Sequence, residues 1–266
     1  MERNSNSLDL ALKSLPEPDA WPMALPPVHL SVARWFGSIA DNGELSPRMC
    51  RVFRESLIYF CYGGVFYRTT NKQTRNAAEL PIAFLFNPSV LASFFRYYPF
   101  DTGALADGLF GKAGEPLLPF KETYAVPAED VSSPARMVYH LYLTNHRYLT
   151  GHVNDQLVQM PTPFPQLSTF FNEDLCDYGI DRRQLLIECQ SKNSIPLNKG
   201  LLWIGFPDSM TDIFARLYDV TKPSVPEYFQ YEAHAIFNPA AICERLEFKA
   251  AEVVRRFEEL PGMRGT

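Results

Sequence analysis

Val28-His29-Leu30-Ser31-Val32 runs directly into Ala33-Arg34-Trp35-Phe36-Gly37-Ser38-Ile39-Ala40-Asp41-Asn42-Gly43, and this stretch decides the fold. Residues 28–31 read as a short strand, Trp35, Phe36 and Ile39 fall at helical spacing, and Gly43 follows as a C-terminal stop. On a strand, His29 and Ser31 are two residues apart and point to the same face. No Gly-rich phosphate fingerprint follows this or any later strand, and strand and helix runs do not alternate regularly. A doubly wound fold is therefore disfavoured, and a mixed α+β domain is expected.

Further along, residues 57–62 form an aromatic-rich run that ends in Gly63-Gly64, where the backbone can bend freely or make a hairpin turn. Residues 80–86 are a β-rich apolar run closed by Asn87-Pro88, expected as a central strand. Residues 47–54 read as a connection, 89–97 as a short helix capped by Ser89, and 99–103 as a turn. Residues 135–149, rich in Tyr and His, read as one helix or strand, with both open. Two further β-type runs, 185–190 and 201–206, are expected to neighbour each other in the sheet. Near the C-terminus Asn238 caps and Pro239 occupies the first turn of a helix that carries Ile242, Leu246, Val253, Phe257 and Leu260 on one face. Residues 1–27, a weak helix over 8–15 and then a proline-rich lead-in, are expected to wrap the outside of a single domain spanning 1–266 and to hold no site.

Composition narrows the function. The 266 residues are 46% hydrophobic and 21% charged, which are globular values. The apolar runs are far shorter than the ~20 residues of a membrane-spanning helix. The N-terminus has acidic and polar residues in place of a basic start and an apolar stretch, so no secretory signal is read there. Five cysteines, odd in number and widely spaced, read as reduced thiols of a cytoplasmic protein. Neither cysteines nor histidines show metal-ligand spacing, so no metal is expected. The net charge of −5 opposes nucleic acid over the whole molecule. The best local basic patch is residues 68–75, which read first as a solvated loop.

Three groups of residues carry chemistry. Glu188 lies in Leu185-Leu186-Ile187-Glu188-Cys189, where a carboxylate needs a partner or an open cleft unless it faces solvent on an alternating edge. His29 and Ser31 share a face near the N-terminus. Tyr62, Phe66 and Tyr67 offer rings for stacking and Arg68 a planar cation, with at least one ring expected to be plain core.

Taken in order, Val28-His29-Leu30-Ser31-Val32, Trp35-Phe36-Gly37-Ser38-Ile39 and Asn42-Gly43-Glu44-Leu45 resemble the opening of DarT-like ADP-ribosyltransferases. In that family a His-x-Thr strand leads into a helix and a Gly-Leu turn. The stretch 60–68 is similar to the family's aromatic-Gly segment, and 183–188 with Ile195-Pro196 to its catalytic strand and exit. The resemblance implies a split mixed β-sheet with flanking helices and NAD as the substrate. Further implied are His29, Ser31, Tyr62 and Tyr67 as NAD-binding residues, Arg68 on the phosphates, and Glu188 as the catalytic carboxylate. It also implies a toxin or defence effector, with a macromolecular acceptor (protein or nucleic acid) left open and an antitoxin or regulatory protein as a partner. A catalytically silent nucleotide- or protein-binding module and an NAD glycohydrolase stay open beside it. The chain departs from the family at Ser31, where Thr is usual, and at Gly64-Val65, where the family carries an Arg; residues 80–182 match nothing in its pattern.

Overall fold

The computed structural model describes residues 7–64, 72–172, 182–221 and 226–258. Eleven strands are present among them: β1 (Pro27–Val32), β2 (Glu44–Leu45), β3 (Arg48–Cys50), β4 (Glu55–Tyr62), β5 (Pro81–Phe86), β6 (Arg96–Tyr98), β7 (Val126–Pro127), β8 (Glu188–Ser191), β9 (Ile195–Pro196), β10 (Leu201–Pro207) and β11 (Glu227–Tyr231). The main sheet runs β11-β10-β5-β1-β4-β8-β6-β7 with β3 added on β4, and β2 and β9 form a separate ladder. The β10–β11 pair is parallel and every other pair is antiparallel. With helices on its faces, this is a mixed α+β fold.

Burial explains the order. Every residue of β5 is buried, as expected for an apolar run flanked on both sides, by β10 and β1. The opening strand forms as expected, and α2 (Ala33–Asn42) follows at once, ending on Gly43 at φ 67, whose N–H bonds the Ile39 carbonyl at 3.0 Å. A side chain at Gly43 would be strained at that φ and would meet Val220 Cγ1 at 2.5 Å. Phe36 of α2 reaches Phe84 and Phe206, while the long helix Pro239–Glu258 lays Leu246 against Gly205 on the opposite face of β10.

The feature that matters for function is a split. β1 and β4 are paired at Pro27↔Tyr62 and Val28↔Cys61. From His29 to Val32, β1 pairs with β5, whereas Ile58 to Cys61 of β4 pair with β8. The sheet opens between β1 and β4.

Several expectations are corrected. The runs 185–190 and 201–206 are not neighbours: β5, β1 and β4 lie between β8 and β10, because burial marks a strand as central without giving its order. Residues 47–54 are not only a connection, since Arg48–Cys50 pairs with β4. In place of a helix over 89–97 there is a 3-10 turn, Pro88–Ser93, capped by Asn87 accepting from the Ser89 N–H at 2.9 Å, and then β6. Over 99–103 the chain begins a helix, α3 (Thr102–Ala106), with Asp101 as its cap. Residues 135–149 are two helices, Ser133–Tyr142 and Asn145–Thr150, separated by Leu143 at φ 73. Residues 7–27 are less peripheral than expected: α1 (Leu8–Ser14) and the lead-in bury Leu8, Leu12 and Leu25 in the core.

Candidate active site

The split holds a cavity of about 620 Å³, within the ~300–1,000 Å³ range of small-molecule and cofactor pockets. One wall is residues 28–32 of β1; the other is residues 57–61 of β4 with Glu188 of β8. His29, Ser31 and Glu188, far apart in the sequence, all line this one space.

Register places Glu188. Its partners across the sheet are Cys61 of β4 and Tyr98 of β6, and those of Gln190 are Tyr59 and Arg96. Because side chains alternate, Glu188 and Gln190 share a face with Tyr59, Cys61, Arg96 and Tyr98. The carboxylate is 5% exposed and held by three donors. Thr102 Oγ1 donates to Oε1 at 2.7 Å, Gln190 Nε2 donates to the same oxygen at 2.6 Å, and the Thr102 N–H donates to Oε2 at 3.0 Å. A carboxylate oxygen has about two lone-pair sites. Among the described residues, then, both sites on Oε1 are taken and one on Oε2 is left for a ligand. Burial pushes the Glu188 pKa up to about 8, and the like charge of Asp101 adds to the rise; the bonds from Gln190 and Thr102 oppose it. The carboxyl thus has both the partners and the cleft that its apolar surroundings demand.

His29 lines the cavity from β1. Its Nδ1 lies 2.8 Å from the Tyr59 carbonyl, and its ring packs 5.4 Å from Phe60 and 6.1 Å from Phe84. Burial lowers its pKa to about 4, with the Arg48 charge adding to the fall and the Tyr59 carbonyl opposing it. At neutral pH the imidazole is uncharged. A carbonyl only accepts, so Nδ1 carries the proton and Nε2 is an acceptor.

The cavity also takes residues that sequence reasoning missed. Arg48 and Arg51 of the β3 hairpin line it; Arg51 is ion-paired with Asp107, while the Arg48 guanidinium lies 3.7 Å over the Trp35 ring. Tyr59 donates its hydroxyl to Cys50 Sγ at 2.6 Å, and burial raises its pKa. Thr102 and Gln190 fix Glu188. The signal for Gln190 was its i+2 spacing from Glu188 on a strand; Thr102 gave none until α3 was placed. Tyr62 is not brought to the cavity: it is fully buried, its hydroxyl accepts the Leu25 N–H at 2.8 Å, and its ring packs against Tyr148. Phe66, Tyr67 and Arg68 lie outside the described residues.

Among the described residues no group of three His, Cys, Asp or Glu side chains could hold a metal ion. Among the same residues Cys50 and Cys189 are free thiols, and no helix is long and apolar enough to cross a membrane.

No protein-family model and no curated protein sequence matches the chain. Among solved structures, DarT of Thermus sp. 2.9 in complex with NAD+ superposes over 80% of this chain and 98% of its own, at 8% identity and a TM-score of 0.43. At that identity and TM-score the two share too little for function to pass from one to the other.

Proposed function

We propose that the chain is an NAD-dependent ADP-ribosyltransferase that binds NAD in the split between β1 and β4. The observation that carries this is the convergence of His29, Ser31 and Glu188 on one cavity. The transfer breaks the bond between the nicotinamide nitrogen and ribose C1′, and nicotinamide leaves neutral. C1′ then bonds an oxygen or nitrogen of the acceptor, which loses a proton. Glu188 supplies negative charge beside the cation-like ribose and, ionised, takes up that proton; a carboxyl titrating near 8 is well matched to such a base at cellular pH. Neutral His29 accepts a ribose hydroxyl at Nε2 instead of donating to the diphosphate, and Ser31 bonds beside it. Arg48, already within the cavity, joins Arg68 as a cation for the diphosphate. A toxin or defence-effector role inside the cell, a macromolecular acceptor and an antitoxin partner follow from this reading.

Purified protein incubated with labelled NAD, with and without cell extract, tests it. Nicotinamide release with label passing to a macromolecule is the expected result. Release with free ADP-ribose as sole product would make the protein an NAD glycohydrolase, and no release under either condition would leave a nucleotide- or protein-binding module.

A further inference from the structure

Arg96 lies directly opposite Gln190 in the β6–β8 pair, so their side chains meet on one face. Arg96 Nε donates to Gln190 Oε1 at 2.5 Å, and Gln190 Nε2 donates to Glu188 Oε1 at 2.6 Å. Gln190 is fully buried, so no bulk water competes for either end of its amide. A guanidinium has donors and no acceptor. Only the amide oxygen can face it, and the amide NH2 is thereby turned toward the carboxylate. Arg96 is itself held in place, its Cζ 4.0 Å from the Phe53 ring centroid and 4.7 Å from that of Phe95, with Nη2 3.5 Å from Glu55 Oε2.

We propose that Arg96 is a positioning residue for Glu188: through its bond to Oε1 of Gln190 it fixes the amide in the one orientation that donates to the carboxylate. The inference rests on Glu188 being the reactive group of the proposed function. Without Arg96 the amide is free to turn over. Its oxygen would then repel the ionised carboxylate and accept from the protonated one, so the neutral form would gain. Asp101, Tyr59, Tyr98 and Cys189 also face Glu188 or act on its charge, and none of them opposes that gain with a positive charge. The Arg96–Gln190 pair thus brings a cation toward Glu188 at one residue's remove, through the amide, so that Oε2 stays open to ligand.

The test is a carboxyl titration of the full chain labelled with 13C at glutamate side chains, the Glu188 resonance being assigned by its loss in Glu188→Gln. Wild type, Arg96→Met, Arg96→Lys and Gln190→Leu are compared, with nicotinamide release measured alongside. The Glu188 midpoint should rise by about one pH unit or more in Arg96→Met and Gln190→Leu and stay near wild type in Arg96→Lys, which keeps a donor-only cation. At a fixed pH below the midpoint the rate should fall about tenfold per unit of that rise, with KM for NAD unchanged. Should Arg96→Met fail to fold, Gln190→Leu, which leaves Arg96 among its rings, carries the same comparison. Midpoints unmoved in Gln190→Leu or in folded Arg96→Met, alongside wild-type release that Glu188→Gln abolishes, overturn the inference and leave the proposed function standing. Midpoints that move while no protein releases nicotinamide uphold the Arg96–Gln190–Glu188 arrangement and remove the proposed function.

Discussion

The two walls of the cavity are built in different ways. The β1 wall comes from one segment: five consecutive residues carry His29 and Ser31, and the imidazole is held by the Tyr59 carbonyl of β4 with the Phe60 and Phe84 rings beside it. The wall at Glu188 is assembled from four separated segments, with β4, β6, β8 and the start of α3 each supplying a face or a donor. Both walls bury a titratable group and favour its neutral form, but from opposite sides of the pH scale, with His29 moved down and Glu188 moved up. A local wall suits ligand binding, which needs shape and an acceptor. A wall fixed by several elements suits chemistry, where small errors of orientation are costly.

The division of labour predicts distinct kinetic losses. Glu188→Gln should lower the rate of nicotinamide release roughly 10²- to 10³-fold, with KM for NAD little changed. His29→Ala should raise KM about tenfold, the worth of about one lost hydrogen bond, with kcat within about threefold. The opposite pattern in steady-state kinetics would exchange the roles of the walls.

The pH profile sharpens the comparison. Below the Glu188 pKa of about 8, release should climb about tenfold per pH unit as the carboxyl ionises. Asp101 caps α3 by accepting the Ala104 N–H at 2.8 Å, and Asn preserves that cap. Asp101→Asn should therefore keep the helix, remove the like charge and move the limb down by on the order of one unit. A limb that stays in place would show that Asp101 does not act on Glu188.

Stability should separate the walls as well. Glu188 is raised from 4.5 to about 8 in the folded chain, so its contribution is fully present below pH 4.5 and is lost as pH rises through 8. His29 is lowered from 6.5 to about 4, so its contribution is present above 6.5 and is lost as pH falls through 4. Relative to wild type, the Tm of Glu188→Gln should improve toward pH 9, and that of His29→Gln toward pH 4. Parallel pH curves for either variant and wild type would contradict the corresponding assignment. The smallest effect belongs to Ser31: Ser31→Ala should raise KM about two- to threefold and Ser31→Thr should not, as titrations of the initial rate with NAD would show.

The same contrast explains what the sequence disclosed. The strand at β1, the helix α2 with its Gly43 stop, the buried β5 and the final helix are local patterns, and each was legible, the Phe257 side chain and Leu260 of that helix's expected face lying outside what is described. Strand order was not, because β8 and β10 are both almost wholly buried and burial does not name a strand's neighbours. Arg96 and Gln190 become partners only once β6 is paired with β8. The aromatic run shows the limit most plainly. Tyr59 and Tyr62 lie three apart on β4, so they face opposite sides of the sheet; Tyr59 lines the cavity and Tyr62 packs in the core. Composition favours neither, and only the register with β8 decides between them.

The central claim is that both walls serve one ligand, NAD. Calorimetric titration of NAD into Glu188→Gln tests it directly, because that variant keeps the β1 wall and should turn the ligand over too slowly to matter during a titration. The account predicts saturable binding of one NAD per chain that weakens about tenfold when His29→Ala is added. A folded Glu188→Gln protein that shows no saturable heat with NAD, or binding indifferent to His29→Ala, would contradict it.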